Sequence, residues 1–125
     1  MIDIRVHSQS KYELLNTIEY SYNQWKVIVL KGFVWDGASI PRNLWEEVGC
    51  PCSHLYASCI HDALYQSALL DRKTSDKIFH RCLLDNGVDS ITAKAMYLGV
   101  RFAGEQYYGS DKSNARNFVK IDIIH

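Results

Sequence analysis

The feature that most restricts the fold is a change of hydrophobic pattern close to Pro41. Before Pro41, three runs rich in β-branched and aromatic residues predict strands. "YNQ" around Asn23 lies between the second and third runs and predicts a hairpin turn. Asn16 lies within the second run, where a β-bulge is one alternative that the sequence leaves undecided. The runs are "IDIRVH" (2–7), "YELLNTIEYSY" (12–22) and "WKVIVLKGFVW" (25–35). An antiparallel sheet is therefore expected in the first third.

Beyond Pro41 the apolar residues recur at helical spacing. Pro41 suits the first position of a short helix, "RNLWEEVG", which ends at Gly49. Three longer helices are predicted next, each with a capping residue at its start. The caps and helices are Ser53 with "HLYASCIHDALYQSALL", Thr74 or Ser75 with "DKIFHRCLLDNG", and Asp89 or Ser90 with "ITAKAMYLGVRFAGEQYYG".

The tail, "NFVKIDIIH", returns to strand character and is predicted to pair with the N-terminal "IDIRVH". Residues 1–125 are therefore interpreted as a single α+β domain. Its expected architecture is a small antiparallel β-sheet, formed by the N-terminal hairpin and the C-terminal strand, packed against three to four α-helices.

Charge and segment composition restrict the partners. The 14 Lys and Arg side chains balance the 14 Asp and Glu side chains, so no overall field favours a nucleic-acid polymer. The N-terminus lacks the basic and apolar regions of a secretory signal, and no run reaches the ~18 apolar residues of a membrane span. The sequence predicts a protein that stays in the cytoplasm of the cell that makes it, with no membrane partner and with its four cysteines reduced.

Polar residues lie unusually close together in the middle of the chain. His61 and Tyr65 are four residues apart and share a helix face, whereas Asp62 projects about 100° away. Asp76 is expected in the first turn of the next helix, where the macrodipole alone explains a carboxylate. Arg101 precedes Glu105 by one turn, which is also the spacing of an ordinary surface ion pair.

The sequence offers two candidate metal sites. "CPCSH" places Cys50, Cys52 and His54 at alternate positions, but the second ligand pair of a structural zinc module is missing. His61 and Asp62, with a further carboxylate, are the better candidates for a divalent cation. No cofactor is assigned, and a divalent metal stays open.

The combination of short motifs is more specific than any one of them. In order, "WDGASIP", "LW", "CIHDALY", "SDKIF" and "MYLGVRFAG" resemble the DUF1353 family, small proteins found largely in bacteriophages and prophages. The resemblance covers Gly32 to Gly104, and departs from the family pattern at Ser75 and Ala103. It implies one shared polar site made of Asp36, Ser39, His61, Asp62, Tyr65, Asp76 and Arg101.

These residues suggest a small hydrolase, because they combine acid, base and anion-binding groups. The expected substrate is a phosphorylated or glycosidic small molecule, such as a nucleotide signal of host antiviral defence. A glycosidic bond would need paired carboxylates, whereas a bound metal would favour phosphodiester hydrolysis. The assigned roles are catalytic for His61, Asp62, Asp36 and Asp76, and substrate-binding for Ser39, Tyr65, Arg101 and Trp35.

Two non-enzymatic alternatives remain. The polar set could instead fix helix against sheet in a phage structural or tail-accessory protein. It could also line the pocket of a protein that sequesters a nucleotide without hydrolysing it. The oligomeric state is not predicted by the sequence.

Overall fold

The computed structural model describes residues 2–8, 11–37, 39–40 and 52–124. The short helix predicted after Pro41 lies outside this part of the chain, as does Cys50. The described residues form six strands and four α-helices, so the α+β class is confirmed. The strands are β1 (Ile4–Ser8), β2 (Lys11–Leu14), β3 (Ile18–Tyr22), β4 (Trp25–Val29), β5 (Val34–Trp35) and β6 (Val119–Ile123).

The strands form two small antiparallel sheets rather than the single sheet expected. One has the order β1-β2-β5 and the other the order β3-β4-β6. The run at residues 12–22 is divided between them, because the chain leaves β2 after Leu14 and re-enters a strand at Ile18. Asn16 lies in this break, where its Oδ1 accepts a hydrogen bond from the backbone N–H of Asp3 at 2.7 Å. The interruption at Asn16 is therefore a change of sheet and not a bulge.

The predicted pairing of the two chain ends is wrong. β6 pairs with β4, with Val119 opposite Val29, whereas β1 pairs with β2. Val29 and Val119 are both buried, so β6 completes the apolar face of β4. The hairpin around Asn23 is confirmed, with β3 and β4 joined by a two-residue connection in which Asn23 has a φ of 51°.

The predicted long helices are present, with different limits at several ends. They are α1 (Cys52–Ser67), α2 (Arg72–Asp85) and α3 (Ser90–Ala103), followed by a 3₁₀ turn (Glu105–Tyr107) and α4 (Lys112–Ala115). α1 begins at Cys52, so Ser53 is inside it and does not precede it. α3 ends at Ala103, six residues before the predicted limit at Gly109.

The caps of α2 and α3 differ in how well the sequence predicts them. Asp89 caps α3 as expected, with its carboxylate accepting from the N–H of Thr92. α2 is capped by Asp71 and not by Thr74 or Ser75. The Asp71 carboxylate lies one turn before the predicted caps and accepts a hydrogen bond from the N–H of Thr74. Asp76 consequently lies in the second turn of α2, where the macrodipole no longer explains a buried carboxylate.

α1 lies at the centre of the fold. Residues 57–65 are all buried, so this helix has apolar neighbours on every side. It packs on α2 and contacts both sheets and α4. The expected apolar face of α2 is confirmed, since Ile78, Phe79, Cys82 and Leu83 are all buried. Any polar side chain in the middle of α1 must therefore find its partners inside the protein.

Within the described residues, none of the helices has the length and apolar character needed to cross a bilayer.

Candidate functional site

The site begins at the turn that follows β5. Gly37 has a φ of +74°, a conformation that favours glycine, and its carbonyl accepts from the N–H of Ile40 at 3.0 Å. The same residue donates its own N–H to Oδ2 of Asp62, 2.8 Å away on α1. Asp36 precedes this turn and is exposed, whereas Ser39 is buried within it. The turn thus attaches the end of the first sheet directly to the central helix.

A continuous line of hydrogen bonds runs from Asp62 into the interior. Ser39 Oγ contacts Oδ1 of Asp62 and lies 2.9 Å from Nδ1 of His61. On the other side of the imidazole, Nε2 of His61 lies 2.8 Å from Oδ1 of Asp76. Arg101 then donates to Oδ2 of Asp76 at 2.8 Å. We call these five residues, Asp62, Ser39, His61, Asp76 and Arg101, the buried chain.

Asp76 is the most heavily bonded member of the buried chain. Its Oδ1 also accepts from the hydroxyl of Tyr65 at 2.6 Å, and Arg72 lies 3.7 Å from its Oδ2. Burial alone would raise the pKa of Asp76, but hydrogen bonds from His61, Tyr65 and Arg101 lower it overall. Asp76 is therefore ionised inside the protein and can only accept hydrogen bonds.

The charge of Asp76 fixes the tautomer of its neighbour. Since Asp76 can only accept, Nε2 of His61 carries the hydrogen between them. Burial lowers the pKa of His61, although Asp76 opposes this effect, so the neutral ring is favoured. In the neutral ring Nδ1 has a free lone pair and accepts from the hydroxyl of Ser39. His61 is thus held by two hydrogen bonds, with its ring between those of Tyr65 and Phe79 at centroid distances of 4.1 and 4.5 Å.

The single hydroxyl hydrogen of Ser39 couples His61 to Asp62. When Ser39 donates to His61, Asp62 must be protonated to hydrogen-bond to the same hydroxyl. When Asp62 is ionised, Ser39 turns and donates to it instead. Burial raises the pKa of Asp62 to about 7, with the charge of Asp36 adding to the rise and hydrogen bonds from Ser39 and Gly37 opposing it. Asp62 can therefore either donate or accept a proton near neutral pH.

A cavity of about 490 Å³ lies against one end of the buried chain. Asp62 and Ser39 reach it, together with Asp36, Tyr65 and Trp35, whereas His61, Asp76 and Arg101 are not among its lining residues. Trp35 is held in place by a hydrogen bond of 3.1 Å from its indole N–H to Ser58 Oγ. Asp62 and Ser39 are thus the members of the buried chain that can meet a ligand, and the other three do not line the cavity.

The other walls of the cavity contain residues that the sequence did not single out. Lys11 and Val34 come from the first sheet, and Gln66 from α1. The segment after α3 contributes Tyr107, Ser110, Asp111 and Asn114. Arg72 was also missed, although its spacing of four residues from Asp76 is a signal for an ion pair.

The predicted site residues are brought together by two different kinds of contact. Asp36, Ser39, Asp62, Tyr65 and Trp35 share the cavity, while His61, Asp76 and Arg101 join through the buried chain. The ion-pair partner of Arg101 is Asp76 and not Glu105. Their functional roles stay predictions.

The arrangement around His61 does not fit the metal site considered from the sequence. While Asp62 is protonated, Nδ1 accepts from Ser39 and Nε2 donates to Asp76, so neither ring nitrogen offers a lone pair to a cation. Within the described residues, no group of three or more His, Cys, Asp or Glu side chains is placed to hold a metal ion. Cys50 of the alternative zinc motif lies outside the described residues.

Two sheets, three central helices and a buried carboxyl–hydroxyl–imidazole–carboxylate line define a small α+β protein with an internal hydrogen-bond network beside a cavity. The sequence matches the family described as "Protein of unknown function (DUF1353)" over residues 12–100. The chain therefore belongs to the DUF1353 family.

One relative is the "Uncharacterized protein y4jT" of Sinorhizobium fredii (strain NBRC 101917 / NGR234), which is 35% identical over 74 residues. The match covers 58% of this chain and 22% of the relative, so this chain resembles only a small part of a longer protein. No solved structure matches the chain.

Proposed function

We propose that the protein is a hydrolase that cleaves a glycosidic bond in a small molecule, with Asp62 as its general acid. The observation that carries the proposal is the position of Asp62, which lines the cavity, is 2% exposed and has a pKa raised to about 7. A carboxyl that retains a proton near neutral pH is what glycosidic cleavage requires at the leaving oxygen.

Asp36 is the second carboxylate of the proposed reaction. It lines the same cavity, and its charge contributes to the raised pKa of Asp62. In the proposed step Asp62 gives its proton to the leaving oxygen, while Asp36 accepts a proton from the attacking water. The hydroxyl of Ser39 then turns from His61 to the new Asp62 carboxylate, which stabilises the charge left behind.

The surroundings favour a glycosidic substrate over a phosphorylated one. Arg101 was the expected phosphate ligand, but its guanidinium binds Asp76 away from the cavity. Among the described lining residues, Lys11 is the one cation, against the carboxyl side chains of Asp36 and Asp111, while Asp62 holds its proton in the proposed reaction. An anionic nucleotide of antiviral defence is therefore a less favourable ligand than an uncharged glycoside. The proposed setting is the cytoplasm of a bacterial cell.

Ser39, His61 and Asp76 also have the order of contacts of an activated serine nucleophile. However, the Ser39 hydroxyl is shared with Asp62 and is 4% exposed. We therefore assign Ser39 to proton transfer and to the positioning of Asp62.

The test is mass spectrometry of the protein incubated with glycosides, cell-wall fragments and cyclic dinucleotides, with and without EDTA. We expect new products from at least one glycoside, no effect of EDTA, and no products with Asp62→Asn. Intact substrates throughout, or equal turnover by Asp62→Asn, would contradict the proposal.

The second candidate is a structural role for the buried chain. It ties the turn after β5 to α1, α2 and α3 through hydrogen bonds of 2.8 to 2.9 Å. A fully bonded internal network of this kind can fix one packing arrangement without any catalysis. The stability of Asp62→Asn, developed in the Discussion, separates the two roles.

A further inference from the structure

One short segment after α3 contributes four of the residues that line the cavity. It comprises the 3₁₀ turn and the start of α4, and it contributes Tyr107, Ser110, Asp111 and Asn114 to the lining. We call these four residues the C-terminal wall. All of their side chains are polar, and one of them is aromatic.

Asp111 and Asn114 present a matched pair of polar groups. They are three residues apart at the start of α4, so their side chains lie on the same side of one helical turn. Asp111 precedes the helix but its carboxylate does not cap it. Within the described part of the chain, neither side chain makes a hydrogen bond to another residue. A carboxylate beside an amide offers acceptors and a donor together, which suits two neighbouring hydroxyl groups.

The C-terminal wall is held at a fixed position relative to α1. The N–H of Gly109 donates to the carbonyl of Tyr65 at 2.6 Å, and the hydroxyl of Tyr108 donates to the carbonyl of Leu70 at 2.6 Å. Arg116 Nε donates to the carbonyl of Ser67 at 2.8 Å. A wall fixed before the ligand arrives loses little conformational entropy on binding.

The charges of the cavity restrict the ligand. Asp111 adds a second carboxyl side chain to Asp36, beside the protonated Asp62 of the proposed function, and Lys11 alone opposes them among the described lining residues. At 4 Å each repulsion with an anionic ligand costs about 1 kcal/mol in bulk water and ~4 kcal/mol near a protein surface. The volume of about 490 Å³ lies inside the range of small-molecule sites.

We propose that the C-terminal wall is the recognition half of the cavity and binds the hydroxyl groups of an uncharged carbohydrate ring. Asp111 and Asn114 hydrogen-bond to adjacent hydroxyls, and the ring of Tyr107 contacts the apolar face of the sugar. The placement of a glycosidic bond of the carbohydrate at Asp62 rests on the proposed function. The binding of the carbohydrate to the C-terminal wall does not.

The test is amide NMR of ¹⁵N-labelled protein titrated with cellotriose, maltotriose and chitotriose, with cyclic di-GMP as the anionic comparison. We expect at least one saccharide to shift the amide signals of Ser110, Asp111 and Asn114. Asp111→Ala and Asn114→Ala should each weaken that binding about fivefold to tenfold, the effect of losing one or two hydrogen bonds. Ser113→Ala, an exposed neighbour in α4 outside the lining, should leave it unchanged.

Three results would overturn the inference. They are the absence of saccharide-induced shifts at these amides, tighter binding of cyclic di-GMP there, and unchanged affinity in both alanine variants. Saccharide binding without cleavage by the wild-type protein would contradict the proposed hydrolysis and leave the recognition half standing. Cleavage at an unchanged rate in Asp111→Ala and Asn114→Ala would contradict the recognition role of the C-terminal wall and leave the proposed hydrolysis standing.

Discussion

Replacing Asp62 by asparagine removes the acidic group of the site but keeps its hydrogen bonds. The amide oxygen of the new side chain can accept the N–H of Gly37, and its amide nitrogen can donate to Ser39. Ser39 then donates to His61, so the other bonds of the buried chain are kept. Asp62→Asn therefore reproduces the protonated form of Asp62 and should fold with the network intact.

The size of the effect follows from the pKa of Asp62. Burial, with a contribution from Asp36, raises this pKa from 3.8 to about 7, so the folded protein holds the proton more tightly than the unfolded chain. The corresponding stability is fully present below about pH 4 and is lost as the pH rises through 7. A difference of about three pH units, at about 1.4 kcal/mol each, gives a loss of ~4 kcal/mol. Asparagine has no proton to release, so Asp62→Asn escapes this loss.

The assay is urea unfolding of both proteins from about pH 4 to about pH 8, with the slope against denaturant checked for constancy. The stability of Asp62→Asn relative to wild type should rise by ~4 kcal/mol across this range. Asp122→Asn, which alters an exposed carboxylate of β6, should show no such rise. Parallel curves for Asp62→Asn and wild type would refute the raised pKa. Destabilisation of Asp62→Asn at every pH would favour the structural role. Greater stability of Asp62→Asn together with lost turnover would favour the catalytic role.

Three further expectations follow from the same network. Arg101→Gln removes the guanidinium from buried Asp76 and should lower the free energy of unfolding by about 2 kcal/mol, with partial recovery in Arg101→Lys; an unchanged urea midpoint would mean that Arg72 suffices. Gly104→Ala should destabilise by about 1–3 kcal/mol in the same assay, because its Cβ would lie 2.6 Å from the Val100 carbonyl oxygen and 2.7 Å from the Tyr65 hydroxyl; unaltered stability would show that the end of α3 and Tyr65 can both shift. A fluorophosphonate probe should leave the intact mass unchanged, since Ser39 is shared with Asp62; an adduct at Ser39 would point to acyl transfer instead.

Local signals in the sequence predict local structure well in this protein. The hairpin at Asn23 and the apolar face of α2 depend on neighbours within a few residues, and both are confirmed. The shared face of His61 and Tyr65 follows from helix geometry alone, and their rings lie 4.1 Å apart.

Choices that depend on distant partners are harder to predict. The pattern of β6 shows that it is a strand but not which strand it joins, and burial against β4 decides that. Arg101 has an obvious local partner in Glu105, yet the buried charge of Asp76 is the stronger attraction. The C-terminal wall was missed because helical spacing continues past Ala103, where the chain in fact turns across the cavity.

The match to the family covers some of the residues around the cavity but not the C-terminal wall. The match to DUF1353 ends at residue 100, so it includes Asp36, Ser39, His61, Asp62 and Asp76, whereas every residue of the C-terminal wall lies beyond it. The bonds that attach this segment to α1 and to the carbonyl of Leu70 come from Gly109, Tyr108 and Arg116, none of which belongs to the C-terminal wall. Under the proposed function, substitutions at the four wall residues would therefore alter ligand preference while Asp62 keeps its position. We expect members of the family to diverge in specificity here, and this segment is the natural one to exchange when the ligand is to be changed.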